Sequence, residues 1–84
     1  MKIINPDTAE TITDIASDSK ETLSEKFAQL KAGQVKWNQV SIDERAQTLL
    51  RFHDLLDTHK EDLAKTLTSE VGKPLQQSYN ELNG

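Results

Sequence analysis

The run Glu70-Val71-Gly72-Lys73-Pro74 requires one helix to stop and another to start within a few residues. Glycine reaches the left-handed region that closes a helix without a Cβ penalty. A proline two residues later cannot continue the old helix but suits the start of a new one. Upstream, Leu63, Leu67 and Val71 mark the seam of the helix that ends here, and Glu61-Asp62 open it, where carboxylates favour the positive end of the macrodipole. Downstream, Leu75, Tyr79 and Leu82 mark the next one. Gly72 is expected to set backbone geometry at this helix end.

Two earlier helices are legible. Ser41 and Glu44 have the Ser-x-x-Glu spacing of a capping box, in which each side chain satisfies an orphan backbone donor at a helix start. From there Ile42, Ala46, Leu49, Leu50, His53 and Leu56 recur at helical spacing, and Phe52 and Leu55 widen the apolar sector beyond one stripe. Such a helix needs neighbours on more than one side. A preceding helix is expected from about Lys20, after Ser17-Asp18-Ser19, with Asp18 and Glu21 in capping-box register. Its Leu23, Phe27 and Leu30 predict one stripe facing a core; Gly33 is either tolerated at about 1 kcal/mol or marks a bend before Trp37. At the N-terminus the β-branched stretches Lys2-Ile3-Ile4 and Thr11-Ile12-Thr13-Asp14-Ile15 flank Asn, Pro, Asp and Thr, the pattern of a hairpin or paired short strands. The expected fold is mainly α: an N-terminal strand or hairpin segment, 1–16, then a helical segment, 17–84, of three to four helices, together an incomplete domain.

Composition explains why incomplete. The chain has 84 residues, 35% of them apolar and 5% aromatic. A chain of this size buries only about 60% of its unfolded surface and needs a staple or a partner. It has no cysteine, which removes disulfides, thiolate metal sites and a thiol nucleophile and leaves a partner. The net charge of −4, with ten basic residues scattered among fourteen acids, argues against nucleic acid. No apolar run approaches the roughly 18 residues of a membrane span, and the first residues lack a signal-peptide apolar stretch. The expected setting is cytoplasmic.

Candidate chemistry resolves into structural roles. His53 and His59 are six residues apart, on different helix faces, so they do not form the i, i+4 pair of a one-helix zinc site. His53 reads as a half-buried packing residue and His59 as a solvated one. Gly72-Lys73 resembles the end of a phosphate loop, but no glycine stands five residues earlier, and Pro74 replaces the magnesium-holding hydroxyl. Asp43-Glu44 and Glu61-Asp62 occupy first turns, where carboxylates cap helices. Ser41 and Ser69 lack a recognisable His and Asp arrangement, and Trp37 and Tyr79 are too few for a base-stacking platform. No catalytic, cofactor-binding or metal-ligating residue is expected.

The order of several pieces adds a resemblance. Ile4-Asn5-Pro6-Asp7-Thr8-Ala9-Glu10 is similar to the Asn-Pro-x-Thr-Gly-Glu turn that opens aldehyde dehydrogenases. Phe27, Trp37, Glu44-Arg45-Ala46, Leu49-Leu50, Leu55-Leu56, Glu61, Leu63 and the Glu70–Pro74 run follow in family order. Ala9 departs from it, standing where the family usually has glycine, which leaves the turn type open. The resemblance, to the succinate-semialdehyde type or another short-chain class, implies an N-terminal fragment from the outer part of the cofactor-binding domain of an α/β enzyme, with Glu70–Pro74 as a helix-to-helix turn in which Lys73 faces solvent. That family oxidises an aldehyde with a cysteine nucleophile, a glutamate and NAD or NADP. Neither catalytic residue nor the glycine-rich cofactor turn has a matching position, so the chain is expected to be inactive alone and to bind no NAD or NADP. The alternative is a stand-alone helical protein–protein interaction module. Both readings predict self-association through exposed apolar helix faces, without nucleic acid or membrane.

Overall fold

The computed structural model describes all residues, 1–84, as a two-stranded antiparallel hairpin followed by four helices. The strands are β1, Lys2–Ile4, and β2, Thr11–Asp14; the helices are α1, Lys20–Trp37, α2, Ile42–Thr58, α3, Lys60–Val71, and α4, Leu75–Asn83. By compactness the chain divides into two units, Met1–Ile15 with Phe52–Gly84, and Ala16–Arg51. One boundary falls beside residue 16; the other, inside α2, has no counterpart in the sequence reading.

In the hairpin, Ile3 pairs with Thr13 but Ile4 with Thr11, so Ile12 is the extra residue of a bulge. The bulge explains why Ile12 and Ile15 do not alternate. The connecting turn is built on Asn5, whose Oδ1 accepts from the Asp7 amide at 2.9 Å and whose carbonyl accepts from the Ala9 amide at 2.8 Å. Ala9 takes φ 61°. The left-handed turn is therefore kept without its usual glycine, at a cost of about 1 to 2 kcal/mol for the Cβ. Ala9→Gly is expected to stabilise the hairpin unit by up to about 1 kcal/mol, the strain relieved less the added unfolded-chain entropy. A thermal melt checks the sign.

The helix starts refine the sequence reading. α1 begins at Lys20 as expected, but its box is Ser19 with Thr22, not Asp18 with Glu21: the Thr22 amide donates to Ser19 Oγ at 3.2 Å and the Ser19 amide to Thr22 Oγ1 at 2.8 Å. Threonine at that position closes the box with its hydroxyl, leaving Asp18 free for another role. At α2 only half of the expected box is formed, the Glu44 amide donating to Ser41 Oγ at 3.2 Å. α1 runs through Gly33 without ending, which settles that residue as tolerated.

α3 and α4 pack on each other. Their shared interior is small: Ala64 and Ser78 are the fully buried residues, and Thr68 Oγ1 lies 2.7 Å from Ser78 Oγ. Leu63 and Leu67 are half-buried along the expected seam, whereas Val71 is exposed. The core predicted for α1 is absent: the helix buries no residue, and Phe27 is 66% and Leu30 73% exposed. On α2, Ile42 is 75% exposed, and Leu49, Leu50, Phe52 and Leu55 are also open, so the broad apolar sector read from sequence is uncovered.

Candidate functional site

The most constructed place in the chain is the α3–α4 junction with the hairpin turn against it. Gly72 closes α3 at φ 76°, its amide donating to the Thr68 carbonyl at 2.9 Å. A Cβ built on Gly72 would stand 2.7 Å from Pro6 Cγ, so the absent side chain is also the space that Pro6 fills. Pro74 occupies the N-cap of α4, where its carbonyl accepts from the Gln77 amide at 2.9 Å. Lys73, expected to face solvent, is instead half-buried and ion-paired with Glu81 on α4. A residue just before a helix reaches back over that helix, and Glu81 lies on the face it meets. Lys60 likewise donates to Asn83 Oδ1, tying the start of α3 to the end of α4.

A shallow depression of about 480 Å³ lies here, lined in part by Asn5, Asp7, Lys65, Thr68 and Lys73. Its cations are already committed, Lys73 to Glu81 and Lys65 to Glu61 at 3.1 Å. Lys65 is raised above the ordinary lysine range, chiefly by the Glu61 hydrogen bond. Its small contribution is therefore complete below the unfolded lysine value and is lost as pH rises through the folded one. Neither lysine presents a spare charge to a phosphate.

The other singled-out residues are scattered. His53 is not half-buried: its side chain is 76% exposed, with Nδ1 3.4 Å from Asp54 Oδ1. His59 stands exposed at the N-cap of α3 and makes no side-chain cap. Asp43 and Glu44 lie in the first turn of α2, and Glu61 and Asp62 in that of α3. Ser69 Oγ donates to the Thr66 carbonyl at 2.8 Å within its own helix. No group of three or more His, Asp or Glu side chains converges as metal ligands. The sequence reading missed Pro6, Thr68, Ser78 and Glu81. The small residues Ala64 and Thr68, four apart on α3, and Ser78 on α4 were the available signal for a close α3–α4 approach.

At the start of α1, Lys26 Nζ lies 2.7 and 2.8 Å from the two Asp18 oxygens, and Thr22 Oγ1 donates to Asp18 at 3.0 Å. The Lys26 hydrogen bond, then that of Thr22, holds the Asp18 carboxyl below its ordinary range. A lowered folded pKa means fewer bound protons in the native state. The stabilisation is therefore present above the ordinary carboxylate value and lost as pH falls through the lowered one. Acidification from about pH 5 to about pH 2 is expected to fray α1, and Asp18→Asn to remove that acid dependence, read by far-UV circular dichroism.

No helix is long and apolar enough to cross a membrane. The Aldehyde dehydrogenase family model matches residues 1–84. The mitochondrial succinate-semialdehyde dehydrogenase of Arabidopsis thaliana is 34% identical over 82 residues, covering 98% of this chain and 16% of that protein. The corresponding protein of Oryza sativa subsp. japonica is 30% identical over the same length and shares. A malonate-semialdehyde dehydrogenase of Listeria monocytogenes is 34% identical over 80 residues, covering 95% of this chain and 16% of that protein. No solved structure matches. The chain thus spans about 16% of the length of the relatives it matches, and with the family model covering every residue it belongs to the aldehyde dehydrogenase family.

Proposed function

We propose that these residues serve as an N-terminal structural segment, on the outside of the cofactor-binding domain, of an enzyme that oxidises an aldehyde to an acid while reducing NAD or NADP. The observation that carries this reading is the near end-to-end match to semialdehyde dehydrogenases by a segment whose apolar helix faces are uncovered. Those relatives suggest a short aldehyde bearing a carboxylate as the substrate class. A cytoplasmic setting accompanies the proposal. The segment's part is scaffold: the hairpin seats on the α3–α4 junction, and α1 and α2 offer apolar faces to the remainder of an enzyme.

Co-expression with a family member deleted for its equivalent segment tests this directly. Restored reduction of NAD or NADP with succinate semialdehyde, seen only when this chain is present, is expected. Assembly of the two pieces without activity would sink it. The same exposed faces favour a second reading, a helical interaction module, and under both the chain by itself self-associates. Sedimentation equilibrium over a concentration series tests that part, a monomer throughout counting against it.

A further inference from the structure

The self-association reading leaves open which surfaces meet, and the two uncovered helices are not equivalent. On α1, Leu23, Phe27, Leu30, Gln34 and Trp37 recur at alternating steps of four and three, the spacing of a helix-pairing seam. Lys20 and Lys31 lie along one edge of that seam and Lys26 along the other, while Glu21 and Glu25 fall on the back. On α2, Ile42, Ala46, Leu49, His53 and Leu56 repeat the same steps, with Asp43 and Asp54 along the edge that corresponds to Lys20 and Lys31, and the half-buried Arg45 on the other edge, facing the side where α1 carries Lys26, itself paired with Asp18. α1 therefore presents an apolar stripe with a basic rim, and α2 an apolar stripe whose corresponding rim, that of Asp43 and Asp54, is acidic. Lys20, Lys31 and Asp43 are exposed and form no ion pair; Asp54 is exposed beside His53.

We infer that this chain pairs with a second copy of itself by laying α1 of each copy antiparallel across α2 of the other. The inference rests on the self-association reading. Three observations favour this occupant. Charge is the first: pairing like with like sets Lys31 against Lys31 or Asp43 against Asp43, whereas the crossed pairing sets lysine against aspartate. The second is register. Lys20 and Lys31, like Asp43 and Asp54, stand eleven residues apart, which is three helical turns or about 16 Å. Viewed from the N-terminus both rims lie on the same side of their seams, and only an antiparallel arrangement brings same-sided edges together. Lys20 then meets Asp54, and Lys31 meets Asp43. The third is area. The chain leaves 7157 Å² accessible, about 2,000 Å² more than expected of a folded monomer of this mass. A stable interface takes about 800 Å² per partner. In addition, a depression on α1 around Gly33, lined by Leu30, Gln34 and Trp37, has nothing within 4 Å of the position a Cβ would take, so a partner side chain has room to enter.

The test is sedimentation equilibrium at low salt of the full chain and two charge-reversed variants, Lys20→Glu/Lys31→Glu and Asp43→Lys/Asp54→Lys. Each variant alone is expected to dimerise at least about tenfold more weakly than the unaltered chain. An equimolar mixture is expected to return to the original dissociation constant, because every crossed contact is then again between opposite charges. Glu21→Lys/Glu25→Lys, on the back of α1, is expected to change nothing. If the unaltered chain dimerises but the reversed variants match it, or their mixture gains nothing, this pairing is overturned while self-association stands. A monomer at every concentration overturns both. Should a reversal reduce helicity by circular dichroism, Lys20→Gln/Lys31→Gln and Asp43→Asn/Asp54→Asn carry the same test, with the weakening again expected and its absence decisive against the pairing.

Discussion

Gly72→Ala is expected to be the most damaging single substitution in the chain, costing about 2 to 5 kcal/mol. Two causes add. An alanine held at φ 76° carries left-handed strain of about 1 to 2 kcal/mol. Its Cβ at 2.7 Å from Pro6 Cγ also forces the hairpin turn to move, an overpacking cost of about 1 to 3 kcal/mol. The melting midpoint should fall by about 10 °C or more. The causes separate experimentally. Gly72→Asn tolerates the backbone better but keeps the clash. Pro6→Ala in the Gly72→Ala background removes the clash but keeps the strain, since the remaining Pro6 Cβ distance of 3.7 Å is ordinary contact. An unchanged midpoint for Gly72→Ala would mean that Pro6 is not seated there.

Thr68→Val should come next, at about 1 to 3 kcal/mol, the cost of leaving the fully buried Ser78 hydroxyl without its partner. The shape of residue 68 is nearly conserved, so packing contributes little. Adding Ser78→Ala removes the orphaned group and is expected to recover most of the loss. A thermal double-mutant cycle reads the coupling directly. Additive losses would show that the two hydroxyls do not depend on each other.

What was legible in the sequence was local. Gly72 at a left-handed helix end, Pro74 after it, the Asn-Pro turn and the helix beginning at Lys20 all follow from rules acting over a few residues, and the structure keeps them. The candidate site was legible only in part, because its defining contacts join distant positions. Nothing near Gly72 announces Pro6, and nothing near Lys73 announces Glu81. His53 looked half-buried because it falls within the α2 apolar pattern, but helical spacing reports which residues share a face and not whether that face is covered. The same reason explains the missing core over α1: its periodicity was read correctly, while no element of these residues covers it. Asp18 was misassigned because two acceptors one residue apart, Asp18 and Ser19, each had a plausible partner in register, and Thr22 chose between them.

The uncovered α1 has a consequence beyond stability. An 18-residue helix with a glycine in its C-terminal third and no buried residue has little holding it but its own propensity, which in water is marginal at that length. Any surface that covered it would therefore raise its order by mass action. Wherever α1 stays uncovered, a fraying helix lies open to proteases, so a partner that covered it would slow cleavage there.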